Sequence, residues 1–289
     1  MTALCVDLGG TRLRAALFNA ACEAELLGDW PAPADVEAFR RRVGSLIDAH
    51  GASTIGVAVP GLTSGAVCVW APNLPYLDGL DLKRMFSGVT VALGNDAQLA
   101  LLAEAALGAA RDATDVILLA IGTGIGSAVL ADGRIVHGPS GAAASFGWAS
   151  ADPADPGDPA LGWLERNASG TALDAIARRA GGTDARALIA AARGGDAVAS
   201  EALRKPCAAL GAAIAGAVAL LGSRSVIVSG GLAEGMDVLA PLVLTVLRRH
   251  LPPHLRDVTL ASAHFGARAS LIGAGLAAHG HPLWAGQGS

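Results

Sequence analysis

The sequence predicts an α/β protein built from two similar halves. Three observations carry this. Apolar, strand-like runs alternate with helical patterns along the whole chain of 289 residues. The opening segment CVDLGGTRLR has a counterpart about a hundred residues later in LLAIGTGIGSAVL, each a strand, a Gly/Thr turn and a second strand. No low-complexity linker divides the chain, so two lobes around a cleft are expected rather than two independent domains.

The elements follow in order. Residues 3–8 are an apolar run suited to a buried strand, and 11–18 (TRLRAALF) partly alternate, as an antiparallel neighbour would. Residues 35–50 read as a helix with Val36, Phe39, Val43, Leu46 and Ile47 on one face. Strands are predicted over 54–60, stopped by Pro60-Gly61, and over 89–94, with a helix from about 97 to 107. The repeated β-turn-β unit fills 116–136, and Asp132-Gly133 makes its hairpin turn. Residues 137–162 are rich in Gly, Pro, Ala and Asp, and 152–162 (DPADPGDPALG) read as a loop. Helices are predicted at 170–180, 184–193, 196–204, 206–221 and 236–250, strands at 225–231 and 257–263, and a closing small-residue helix at 267–278.

Composition narrows the class. Hydrophobic residues are 52% and charged residues 16%, which supports a large core and argues against disorder. A net charge of −4 gives no basic surface for nucleic acid. No uninterrupted apolar run reaches the roughly 18 residues of a membrane helix. The longest candidate, 208–221, reads as a buried helix. The start MTALCVDLGG has no secretory-leader pattern, and the four cysteines show no CxxC spacing, so a cytoplasmic protein with reduced thiols is expected.

The chemistry concentrates at the turns. In DLGGT, Gly9, Gly10 and Thr11 expose backbone N–H groups that can cradle phosphate oxygens. Asp7 would repel those phosphates unless a divalent cation lay between, so Asp7 is the candidate Mg²⁺ residue, directly or through water. Gly122, Thr123 and Gly124 form the matching turn. One such turn is ordinarily a plain β-turn; two at corresponding places favour phosphate. Asp96, in Gly94-Asn95-Asp96-Ala97, stands where a strand ends and a helix begins. That position suits an N-cap, and it equally suits a base taking a proton from a hydroxyl that attacks phosphorus.

Taken in order, DLGGT, VPG, PNL, ND, GTGIG, ASG and SGG resemble the ROK family of sugar kinases, within the actin-like, hexokinase-type ATPase superfamily. The general run is similar to its bacterial N-acylmannosamine kinases, and 119–136 also resembles its glucokinases. The resemblance implies a two-lobed, ribonuclease H-like fold with a duplicated sheet core. An N-terminal lobe would span 1–110 with the C-terminal helix 268–289, and a C-terminal lobe 111–267. It implies Asp96 as catalytic base; Gly61, Asn73, Asn95, Asp96, Ser145, Trp148 and Glu165 around the sugar; and Asp7, Gly9, Gly10, Thr11, Gly122, Thr123, Gly124, Gly230 and Gly231 around Mg·ATP. It implies a homodimer that binds small molecules, with no nucleic-acid or membrane partner. The readings that stay open are a non-catalytic sugar or nucleotide sensor, for which the helix-turn-helix of ROK repressors has no counterpart here, and a glucokinase using polyphosphate.

The chain departs from the family where GExGH and CxCGxxGCxE are usual. Ser145 stands for the glutamate and Trp148 for the histidine; Pro156, Asp158 and Trp163 stand for the cysteines. With those ligands gone no zinc is expected. Trp148 and Trp163 are expected to pack together in its place, or one of them to stack on a substrate ring. Glu165, in WLERNASG, matches the family's second sugar-binding glutamate. His137, His250, His254 and His264 lack ligand spacing and read as surface or loop residues, Trp30 and Trp70 as packing or pocket-rim residues.

Overall fold

A computed structural model describes residues 2–284 of the chain. In chain order the elements are β1 (Ala3–Leu8), β2 (Arg12–Phe18), β3 (Ala24–Pro31), α1 (Val36–His50), β4 (Thr54–Val59), β5 (Leu62–Ser64), β6 (Val67–Trp70), β7 (Leu80–Asp81), α2 (Leu82–Met85), β8 (Thr90–Asn95) and α3 (Asp96–Leu107). They continue with β9 (Val116–Ile121), β10 (Ile125–Ala131), β11 (Arg134–Ile135), α4 (Trp163–Ala168), α5 (Gly170–Arg179), α6 (Ala185–Arg193), α7 (Ala197–Leu221), β12 (Ser225–Ser229), α8 (Met236–Arg249), β13 (Thr259–Ser262) and α9 (Ala269–Ala278). The chain divides into two compact units. The first takes the described residues up to Arg111, then Arg134–Ala143 and the described residues from Ala267 on; the second takes Asp112–Gly133 and Ala144–Gly266.

In the first unit the main sheet has the order β3-β2-β1-β4-β8. β1 pairs antiparallel with β2 and parallel with β4, which pairs parallel with β8. Leu4, Val6, Leu8, Ile55 and Val57 from the sheet pack against Phe39 and Val43 of α1. Asp35 caps that helix by accepting the Ala38 N–H at 2.7 Å. α9 packs against β1, β4 and α3, and its small residues allow the approach. A Cβ at Gly273 would lie 1.8 Å from the Leu99 carbonyl oxygen.

In the second unit β10, β9, β12 and β13 lie side by side in that order. β9 is antiparallel to β10 and parallel to β12, and β12 is parallel to β13. This repeats the β2-β1-β4-β8 arrangement of the first unit, so the internal likeness of the two turn segments reflects a repeated sheet. Asp132 and Gly133 both adopt positive φ, as a type I′ hairpin turn requires. Leu203, Leu210 and Ile214 of α7 and Val243 and Leu247 of α8 close the core on Ile117, Leu119, Val226 and Val228.

Three features differ from the sequence expectation. The two helices expected over 196–204 and 206–221 are one, α7, running through Pro206. Leu203, Cys207, Leu210 and Ile214 are buried on both sides of the proline, and their packing offsets the roughly 3 kcal/mol that an interior proline costs. At 25 residues α7 is long and apolar enough to cross a membrane by length and composition alone, and over half of its most apolar 18-residue window is buried within the second unit. β3 and the small sheet β5-β6-β7 escaped the sequence pattern, because β3 is largely exposed and irregular in its alternation and the others are two to four residues long.

Candidate active site

In the first unit the DLGGT turn closes tightly: the Gly9 N–H donates to the Arg12 carbonyl at 2.9 Å. Asp7, only 6% exposed, faces Arg14 in the β1–β2 register. Arg14 Nη2 donates to Asp7 Oδ2 at 2.5 Å, and its Nη1 donates to the Ala267 carbonyl at 2.6 Å. Burial raises the Asp7 pKa, while the Arg14 charge and hydrogen bonds from Ser270 and Arg14 pull it back. Arg14 carries this arrangement and was not among the residues singled out from the sequence; an arginine within a strand, seven residues after the aspartate, is the signal that could have found it.

Asn73 reaches the same turn, since a Cβ at Gly10 would lie 3.0 Å from Asn73 Cβ. Gly61 has φ +103°, and a side chain there would strike the Trp70 carbonyl at 2.1 Å, so only glycine fits. The Gly61 carbonyl accepts Asn95 Nδ2 at 2.9 Å. Asn95 Oδ1 accepts the Ala97 and Gln98 N–H groups at 3.0 and 3.2 Å. Asn95, not Asp96, is therefore the N-cap of α3. Asp96 is the first helical residue. It keeps an accessible edge, yet loss of hydration, and then the neighbouring negative charge of Asp7, push its carboxyl up to about 6.

The donor set in this unit fits Mg²⁺ held mainly by phosphate oxygens and water, which needs only one or two carboxylates. Asp7 supplies one. Its buried charge and that of Asp96 repel each other, and a cation would relieve both. Among the described residues no group of three or more His, Cys, Asp or Glu side chains is placed to hold a metal by itself.

In the second unit the matching turn is bolted to the start of α5. The Gly170 N–H donates to the Gly122 carbonyl at 2.7 Å and the Thr171 hydroxyl to the Thr123 carbonyl at 2.9 Å. Glu165 Oε2 accepts the Ile125 N–H at 3.2 Å, and a Cβ at Gly124 would lie 2.8 Å from Oε1. Glu165 thus lies against the turn, beside Gly147. Ser145 is exposed and Trp148 is 50% exposed. The Ser127 hydroxyl fixes the segment before them, donating to the Ala144 carbonyl and accepting the Phe146 N–H. Trp163 packs on the core instead of on Trp148, so the expected indole pair does not form. The loop where zinc ligands were missing is held by Arg166, which bonds both oxygens of Asp155, at 2.7 and 3.2 Å, and the Leu161 carbonyl at 3.2 Å.

Gly230 has φ +80°, and a Cβ there would lie 2.5 Å from the Ile121 carbonyl oxygen. It brings Gly231 beside Gly122 and Thr123, and these three line a cavity of about 530 Å³. α5, α6 and the segment after β12 complete its wall with Asp174, Asp184, Ile189 and Glu234 among others, none of which the sequence singled out. Only Thr171, next to the ASG motif, carried a local signal. The volume suits a nucleoside-sized ligand.

A family model described as the ROK family matches residues 3–281. The chain belongs to the ROK family. It is 34% identical to an N-acetylmannosamine kinase of Escherichia fergusonii over 98% of this chain and 100% of that protein. Among solved structures, the ROK hexokinase of Thermus thermophilus superposes with a TM-score of 0.80 at 28% identity, over 96% of this chain and 98% of the other. A ROK glucokinase of Streptomyces griseus, in complex with glucose and AMPPNP, gives 0.81 at 24% identity, over 97% and 100%. The ROK chain described here thus has the α/β fold of the actin-like ATPases.

Proposed function

We propose that this ROK protein is an ATP-dependent sugar kinase with Asp96 as its general base. The observation that carries this is the state of Asp96: Asn95 takes over the capping of α3, and the Asp96 carboxyl, at about 6, is a stronger base than an ordinary aspartate and is still ionised at neutral pH. In the second unit, the cavity beside Gly122, Thr123, Gly230 and Gly231 takes the nucleotide, with the turn N–H groups toward its phosphates.

The acceptor hydroxyl gives its proton to Asp96 as its oxygen forms a bond to the γ-phosphorus. The bond from that phosphorus to the β,γ-bridging oxygen breaks, and ADP leaves with the electron pair. Asp7 would hold Mg²⁺, directly or through water, and the ion would supply charge neutralisation for the transferring group. The family resemblance supports Asn73, Asn95 and Glu165 as the residues that bind the acceptor. A hexose, amino sugar or related polyol is the acceptor class. Exposed Trp148 and the short Ser145 favour one bulkier or less polar at the ring positions they meet. The family resemblance further supports a cytoplasmic homodimer.

The test is ADP release with Mg·ATP across hexoses, N-acyl and free amino sugars and cyclitols, with Asp96→Asn alongside. Turnover on one acceptor that vanishes in the variant is expected. ATP binding without acceptor-dependent turnover would instead support a sensor of the same fold.

A further inference from the structure

The strand-to-helix step that carries Asp96 is braced from below by two segments distant in sequence. Gly94 is the residue of β8 just before Asn95 and Asp96. The Trp284 indole lies directly on its backbone: a Cβ at Gly94 would come 2.7 Å from Cη2 and 2.8 Å from Cζ2. Trp284 is 7% exposed, so it is packed as a core residue near the C-terminus. His137 meets the indole edge-on, with ring centroids 4.6 Å apart and planes at 89°. His137 Nδ1 lies 3.2 Å from Gln98 Oε1. Gln98, 1% exposed in the first turn of α3, has the backbone N–H that Asn95 caps. The two bracing segments are joined to each other, since the Ile135 N–H donates to the Leu283 carbonyl at 3.3 Å. His137, read from the sequence as a surface or loop histidine, is thus half-buried between Trp284 and Gln98.

We propose that Trp284 and His137 are positioning residues for the general base. Trp284 fixes the backbone of Gly94 from the strand side and His137 fixes Gln98 from the helix side, so that Asn95 and Asp96 between them have one orientation. The physical reason lies in the tolerance of the chemistry. A base acts only when its oxygen sits within about 0.5 Å and 10–20° of the productive geometry, and a displacement of about 1 Å costs on the order of a hundredfold in rate. A glycine at 94 leaves that step without a side chain of its own to hold it, and the indole fills the vacancy. Burial also keeps the imidazole neutral, so the brace carries no charge toward the Asp7–Asp96 pair.

This inference rests on Asp96 being the base. It is tested in the full chain with Trp284→Ala, Trp284→Phe, His137→Ala and the double variant Trp284→Ala/His137→Ala. The readouts are hydrogen exchange of the 93–99 peptide, calorimetric Kd for ATP, and steady-state rates with Mg·ATP and the fastest acceptor of the panel. Trp284→Ala is expected to speed exchange at 93–99 by tenfold or more while the α1 peptide is unchanged. It is also expected to lower kcat by roughly 10–100-fold, with KM and Kd for ATP within about twofold. Trp284→Phe should recover most of the rate, and the double variant should fall further than Trp284→Ala alone, though by less than the two single losses together, since the rings also touch each other. Unchanged exchange at 93–99 with kcat within twofold overturns the brace. So does a loss spread equally over kcat, ATP affinity and exchange across the whole chain, which is a general loss of folding. If Asp96→Asn retains turnover, the base assignment fails instead, and the exchange result still decides whether the brace exists.

Discussion

Asp7 and Arg14 face each other across the first hairpin, and the guanidinium bonded to Asp7 Oδ2 is also tied to the Ala267 carbonyl just before α9. One arginine therefore offsets part of the charge of the buried Asp7 carboxylate beside Asp96 and fastens β2 to the residue just before α9. Arg14 is 28% exposed and Asp7 8% at the side chain, so water screens this pair little.

Removing the arginine alone should leave a buried, unpaired charge. Arg14→Met is expected to destabilise the protein by about 3 kcal/mol, the lower end for a broken buried pair because Arg14 keeps some exposure. Arg14→Met/Asp7→Asn should regain most of that loss. Urea unfolding at pH 8 measures both; a double variant no more stable than the single would show that the pair is not the source.

The raised Asp96 pKa makes two pH statements with opposite consequences. Catalysis needs the ionised form, so kcat/KM should fall about tenfold per pH unit below about 6 and plateau above it. Stability runs the other way. Below pH 4 the carboxyl is protonated both folded and unfolded and costs nothing; above about 6 it is ionised in both, and the folded chain bears the full cost of the buried charge. Asp96→Asn should therefore abolish turnover and, above pH 6, raise stability by at most about 3 kcal/mol, less for the accessible edge of the residue. Thermal unfolding at pH 5 and pH 8 checks the sign, the gain being larger at pH 8.

Gly230 holds the cavity wall in a conformation other residues resist. Gly230→Ala forces a Cβ toward the Ile121 carbonyl at positive φ, a strain of about 1–3 kcal/mol. The segment must shift, and the affinity for ATP should weaken by roughly 10–100-fold with the acceptor KM little changed. Calorimetric titration of AMPPNP against both forms reads this directly.

The sequence by itself determined the repeated hairpins, their Gly/Thr turns, the ends of β1, those of β4 and β8 to within a residue, and the place of Asp96 where a strand gives way to a helix. These are local facts. Period-two and period-3.6 apolar patterns, turn glycines and capping residues act over a few neighbours and leave a readable trace. The tertiary structure alone decided the rest. That Arg14 meets Asp7 follows from the hairpin register. That Asn95 caps α3, while Asp96 accepts only the neighbouring Ala97 N–H, follows from backbone angles at one step. That α7 runs through Pro206 follows from the core it fills. Trp284 reaches Gly94, and Asp174, Asp184 and Glu234 gather around one cavity, only because packing brings together segments far apart along the chain. Such meetings depend on register and close packing summed over the whole of a unit, and no window of sequence encodes them.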